Sequence, residues 1–209
     1  MCDKINGMKR NRYVGSGALT REQFLFHETR IVAGLMAEGL SDAEIFDKIY
    51  NENLFQFPTE KSVKTIMDAC VRRLHALDND ILVQAIAGQP VEVAKQICLY
   101  AMMKQSTLMW DFMLTVIGGK FRQNDLSFSK KDVTVFLLGL QEQDDTVAKW
   151  SAATLVKIRQ VIMKTLMDTE YIDNLNTTRL NMILLSRVLE VGIRENHDEA
   201  VFPAFNYFE

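Results

Sequence analysis

Few side chains in this sequence combine the residue type and the spacing that chemistry needs. His27, His75 and His197 are isolated, and none belongs to a recognisable set of Cys, His or carboxylate ligands at metal-site spacing. Cys2, Cys70 and Cys98 are odd in number and too far apart to be paired from sequence. No Gly-x-Gly-x-x-Gly or P-loop pattern occurs, and Gly15 and Gly17 lie in a polar stretch rather than behind a strand. A Gly-x-Ser-x-Gly nucleophile elbow is absent as well. The expectation is a protein with no catalytic residues, no metal and no cofactor, and therefore not an enzyme.

What remains is positive charge at helical spacing, whose chemistry is phosphate contact. Lys61, Lys64, Thr65, Asp68 and Arg72 recur along one stripe of a helix, with the acid partly offsetting the bases. Residues 149–167 hold four bases and no acid. Here Lys149 and Ser151 stand at the start of a helix, Lys157, Gln160 and Lys164 share its exposed side, and Arg159 lies at the edge of its apolar face. The second segment is the better phosphate candidate. The bland alternative is a solvated basic face, or one paired with the acidic C-terminal part.

Those helices must be positioned by the rest of the chain. Thr20 and Gln23 have the spacing of a capping box and predict the first helix, which Gly39 ends. Ser41 and Glu44 repeat the box, with Leu40 and Ile45 as a hydrophobic staple. After a loop at 53–58, Val63, Met67, Cys70, Val71, Leu74 and Leu77 mark a third, amphipathic helix. A short helix near Ile81, another opening at Pro90, and a helix from Thr107 that is apolar nearly all round and stops at Gly118 and Gly119 form the middle. Ser129 and Asp132 start a second three-element pattern, continued by Leu155, Ile158, Ile162 and Leu166. A last helix is expected over 177–191, followed by a tail whose Phe202, Phe205, Tyr207 and Phe208 should dock on the fold or on a partner.

The reading is an all-α globular helical bundle with two helix-turn-helix-like units, at 41–77 and 129–167. Residues 1–19, with four bases and no apolar period, are expected to form a flexible basic arm. Residues 20–88 and 89–209 would form two helical lobes. With 48% hydrophobic residues, 24% charged, 3 Pro and 10 Gly, the composition excludes disorder and collagen-like repeats. The most apolar run, 107–117, is too short for a membrane span and contains Asp111. A polar N-terminus and unpaired cysteines point to the cytoplasm. Net charge is −3, but the residues from Asp168 onward carry eight acids and three bases, which leaves +2 to everything before them.

The run SGALTREQFLFHETRIVAGLMAEGLSDAEIF, followed by ENLFQFPTEKSVKTIMDACVRRL, resembles the BrxA family of type 1 bacteriophage-exclusion (BREX) systems. Thr20, Arg21, Phe24, the stretch 38–41 and the stretch 53–59 recur together in that pattern, and KWSAATLVKIRQVIMKTLMD looks like the family's Trp-Ser-led helix. The resemblance implies a small all-helical protein, similar in fold to NusB-like bundles, that serves an anti-phage system also holding an adenine-specific DNA methyltransferase and ATPases. It also implies double-stranded DNA as the partner, bound through the two helix-turn-helix-like units.

Two functions stay open. One is a non-enzymatic, monomeric DNA-binding component that engages backbone phosphates with little base reading. The other is an adaptor or assembly factor for other BREX proteins, with DNA affinity incidental.

Overall fold

The structure, a computed structural model, describes residues 12–208, of which 69% are helical. Eleven α-helices follow one another among the described residues: α1 (Phe26–Ala37), α2 (Asp42–Asn51), α3 (Glu60–Leu77), α4 (Asp80–Gly88), α5 (Val91–Gln105), α6 (Thr107–Phe112), α7 (Gly118–Arg122), α8 (Lys130–Gln143), α9 (Asp145–Ala148), α10 (Ala152–Asp168) and α11 (Arg187–Glu195). Short 3₁₀ turns at Ser16–Thr20 and Glu199–Phe205 flank them. The only sheet-like pairing among these residues is an isolated bridge between Ser127 and Arg179, so the fold is all-α. None of these helices is long and apolar enough to cross a membrane.

Helix starts follow the side chains that satisfy orphan backbone donors. Ser41 and Ser129 form complete capping boxes with Glu44 and Asp132, and Thr59, Asn79, Ser106, Asp144, Ser151 and Ser186 cap the helices that follow them. Gly39 adopts φ +86° after α1, where its N–H and that of Leu40 return to Met36 and Leu35 in the pattern that closes a helix.

The most enclosed element is α5: every residue from Ile97 to Met103 is buried, because α1, α3, α4, α6 and α11 surround it. The expected boundary near Gly88 is therefore crossed by packing, with α5 filling the centre of the N-terminal helices.

Four expectations are corrected. The Thr20–Gln23 box does not form: Thr20 Oγ1 donates to the Gly17 carbonyl, and α1 begins at Phe26 after Leu25 in the left-handed region. Its cause is Arg73, a buried guanidinium on α3 that takes the carbonyls of Glu22 and Phe24 and holds 22–25 out of the helix. Gly118 and Gly119 do not stop the central helix, which passes through a π turn at Met113–Ile117 into α7. A Cβ on Gly118 would lie 3.1 Å from the Ala204 nitrogen, so this glycine admits the C-terminal turn instead.

The last helix starts at Arg187, not near 177. Residues 178–181 are not helical: Phe128 N–H donates to Thr178, Leu180 N–H to Leu126 and Asn181 N–H to Tyr171, so tertiary backbone pairing displaces the helix. Of the expected arm, 1–11 lie outside the described residues, while 12–19 pack on the fold. Tyr13 and Leu19 are buried, and the Arg12 guanidinium and Tyr13 hydroxyl both donate to Asp111. Phe202 and Phe205 of the C-terminal tail are buried as expected, and Phe208 is half exposed.

Candidate nucleic-acid interface

Helix α10 buries Ile158, Val161, Ile162 and Leu166, and this apolar stripe dictates what faces water. Lys157, Gln160 and Lys164 are exposed on the other side, and Lys149 and Ser151 stand exposed at its start. The Ser151 hydroxyl accepts the Thr154 N–H, so the cap and the open first-turn N–H groups are at one end of the basic stripe. Arg159 is half buried and donates to Thr134 Oγ1 at 3.1 Å, tying α10 to α8.

No carboxylate lies within ion-pair distance of Lys149, Lys157 or Lys164 among the described residues. Apart from Asp168, several C-terminal acids that could have neutralised them are engaged elsewhere. Glu170 pairs with Lys95, Asp198 with Lys104, and Glu190 with Arg187 and Arg194, while Glu195 accepts from Asn79. The positive stripe along α10 is thus offset only at its C-terminal end, where Asp168 stands one turn beyond Lys164.

The stripe on α3 is divided. Lys61 and Thr65 are exposed, and the Thr65 hydroxyl is spent on the Lys61 carbonyl. Lys64 leans toward α2, 3.7 Å from Asp68 and 5.3 Å from the centre of the Phe46 ring. Arg72 turns the other way and donates to Glu22 at 2.7 Å. Two of the three bases in this α3 stripe therefore already hold partners.

Both helices converge on the segment at 21–28, a connection that pattern reasoning missed. Arg72 reaches Glu22, and Lys164 reaches the Gln23 side chain at 3.5 Å. Beside this segment, Ile66 of α3 and Lys164 and Asp168 of α10 line one cleft of about 530 Å³. Asp168, half buried, has its pKa raised by desolvation, with Lys164 and Lys95 pulling the other way. Residues 141 positions apart meet here, and no local spacing signals such a meeting.

The other chemistry-bearing residues do not assemble. His27 and His197 are exposed, and His75 is exposed with Nε2 3.4 Å from Asp42. Cys70 and Cys98 are free and buried, and burial pushes the Cys70 thiol up to about 11. Among the described residues no three His, Cys, Asp or Glu side chains gather as a metal-ligand set.

The BrxA family model matches residues 15–197. A protein of Bacillus cereus (strain H3081.97) named BREX protein BrxA is 33% identical over 174 residues, covering 80% of this chain and 86% of its own. A second BREX protein BrxA, from Paramagnetospirillum magneticum (strain ATCC 700264 / AMB-1), is 27% identical over 188 residues, covering 90% and 92%. The crystal structure of an uncharacterized protein from Magnetospirillum magneticum superposes with a TM-score of 0.77 at 25% identity, covering 90% of this chain and 96% of that one. A family match spanning nearly all of the helical core, together with a relative at this identity, establishes that the chain belongs to the BrxA family.

Proposed function

We propose that this chain is a component of a BREX anti-phage system whose part is to bind double-stranded DNA without catalysing a reaction on it. The observation that carries the reading is the exposed stripe of α10, where Lys149, Lys157 and Lys164 face water outside any ion pair, with Asp168 near Lys164 alone. Lysines so arranged neutralise phosphates and release counterions, giving binding that depends little on sequence. Arg72 and Lys64 of α3 contribute less, since each would first leave an acidic partner.

Duplex affinity measured across a salt series tests this. With about three phosphates neutralised, log affinity should fall against log salt with a slope near −3. A slope near zero would contradict phosphate binding. A second reading, an adaptor for other defence proteins, is favoured by one observation: Met182 and Leu184 stand 66% and 89% exposed on the extended run before α11. Affinity for a protein partner that is insensitive to salt would support it.

A further inference from the structure

The cleft beside residues 21–28 brings apolar and charged side chains together. One wall is apolar, made by Leu25, Phe26 and Ile66, with Phe26 stacked on the buried Phe24 at 6.2 Å and an interplanar angle of 11°. Its rim carries Arg21 and Lys164, both exposed. Glu28 and Lys95 also line the cleft, and the half-buried carboxylate of Asp168, near Lys164 and Lys95, accepts no hydrogen bond from any described residue.

The backbone here is under constraint. Leu25 is held at φ +53°, a left-handed conformation that is unfavourable for a non-glycine residue. The Arg73 guanidinium, donating to the carbonyls on either side of Gln23, keeps it there. The apolar wall and the Gln23 amide are thereby fixed before any ligand arrives.

We propose that this cleft binds a single nucleotide, its base against Phe26, Leu25 and Ile66 with an N–H donor on Asp168, and its phosphate between Arg21 and Lys164. An aromatic heterocycle needs a flat apolar wall, its exocyclic or ring N–H needs a buried acceptor, and its phosphate needs cations at the solvent edge. The volume of about 530 Å³ suits a mononucleotide. Lys164 belongs also to the α10 stripe, so the inference rests on the DNA-binding reading where the nucleotide is part of a strand. A nucleotide unpaired from bound DNA and a free mononucleotide offer the same chemistry.

Titration calorimetry with AMP and with inorganic phosphate, and gel shifts with a blunt duplex and the same duplex carrying a one-nucleotide overhang, test the inference on the full chain. The variants are D168A and R21A, with folding checked by circular dichroism, and K157E, which alters α10 outside the cleft. Asp168 is the decisive group. Deleting a carboxylate strengthens plain anion attraction, whereas losing a charged acceptor to a base weakens nucleotide binding about tenfold.

The expected result is saturable AMP binding, or an overhang duplex bound several-fold tighter than the blunt one, in either case lost about tenfold in D168A and R21A and not reproduced by inorganic phosphate. The AMP arm identifies a free nucleotide and the overhang arm a strand nucleotide. AMP that does not bind, together with equal affinity for the two duplexes, overturns the inference, as does D168A binding more tightly than the parent. In both of those cases blunt-duplex binding that K157E still weakens leaves the α10 reading standing.

Discussion

Arg73 and Phe24 are joined inside the protein: the guanidinium of Arg73, 1% exposed, donates through Nη1 to the Phe24 carbonyl at 2.8 Å. Its Nη2 donates to the Glu22 carbonyl at 2.6 Å, and Nε has no partner. Burial lowers the pKa of this group, yet arginine stays charged, so a cation is buried to fix one short segment. Replacing Arg73 with Met leaves both carbonyls unpaired and should cost about 2–4 kcal/mol, read as a shift in the urea midpoint. A variant as stable as the parent would show that 21–25 is held by something else.

Glu22 restrains Arg72 from the same segment. In the Glu22→Gln variant the attraction drops while the shape is kept, and stability should change by less than about 1 kcal/mol because Arg72 is half exposed. Duplex affinity at low salt should rise severalfold, since Arg72 becomes free for phosphate. Unchanged affinity would remove α3 from the interface.

Two glycines in helices should respond oppositely to alanine. A Cβ on Gly192 would sit 2.6 Å from Leu82 Cδ2 and 2.7 Å from its Cγ, so Gly192→Ala should force α11 from α4 and destabilise by about 1–3 kcal/mol. Gly139, in α8, has nothing within 4 Å of that position, and Gly139→Ala should stabilise by about 0.5–1 kcal/mol. Thermal melts of the two variants moving in the same direction would refute the packing described between α4 and α11.

Acid sensitivity should reside partly in the turn before α8. Hydrogen bonds from the Ser127 hydroxyl and backbone, then the Lys120 ammonium, hold the Asp125 carboxyl down at about 2. A carboxyl with a depressed folded pKa stabilises the fold fully above its unfolded value of about 3.9, and that contribution is lost as pH falls through the folded value. The stability difference between the parent and Asp125→Asn should therefore be constant from pH 7 to about 4 and shrink between about pH 4 and 2. A difference that stays constant to pH 2 would contradict the assignment.

Helix identity was legible where local chemistry decides it. The boxes at Ser41 and Ser129 and the stripes of α3 and α10 need only neighbours within a few residues, and all four form. Failures came where distant groups intervene. Thr20 and Gln23 have the right spacing, but Arg73 takes the carbonyls of Glu22 and Phe24. The segment at 177–186 has helical periodicity, but the 126–128 backbone and Tyr171 compete for its hydrogen bonds.

The same contrast governs the candidate site. The exposed faces of Lys157 and Lys164 follow from period alone. The Arg72–Glu22 pair and the cleft under Gln23 arise from folding 21–28 between two helices remote in sequence.

The most direct measurement compares two double variants, Lys157→Glu with Lys164→Glu and Lys61→Glu with Lys64→Glu, by gel-shift titration of several duplex sequences at two salt concentrations. Reversing the unpaired charges of α10 should weaken binding similarly for every sequence and flatten the salt dependence, with little loss of stability. The α3 variant should lose less, because Asp68 and Phe46 already occupy Lys64. An α10 variant that binds every duplex as the parent does, while a defence protein no longer co-purifies with it, would contradict DNA binding and assign the stripe to a protein partner.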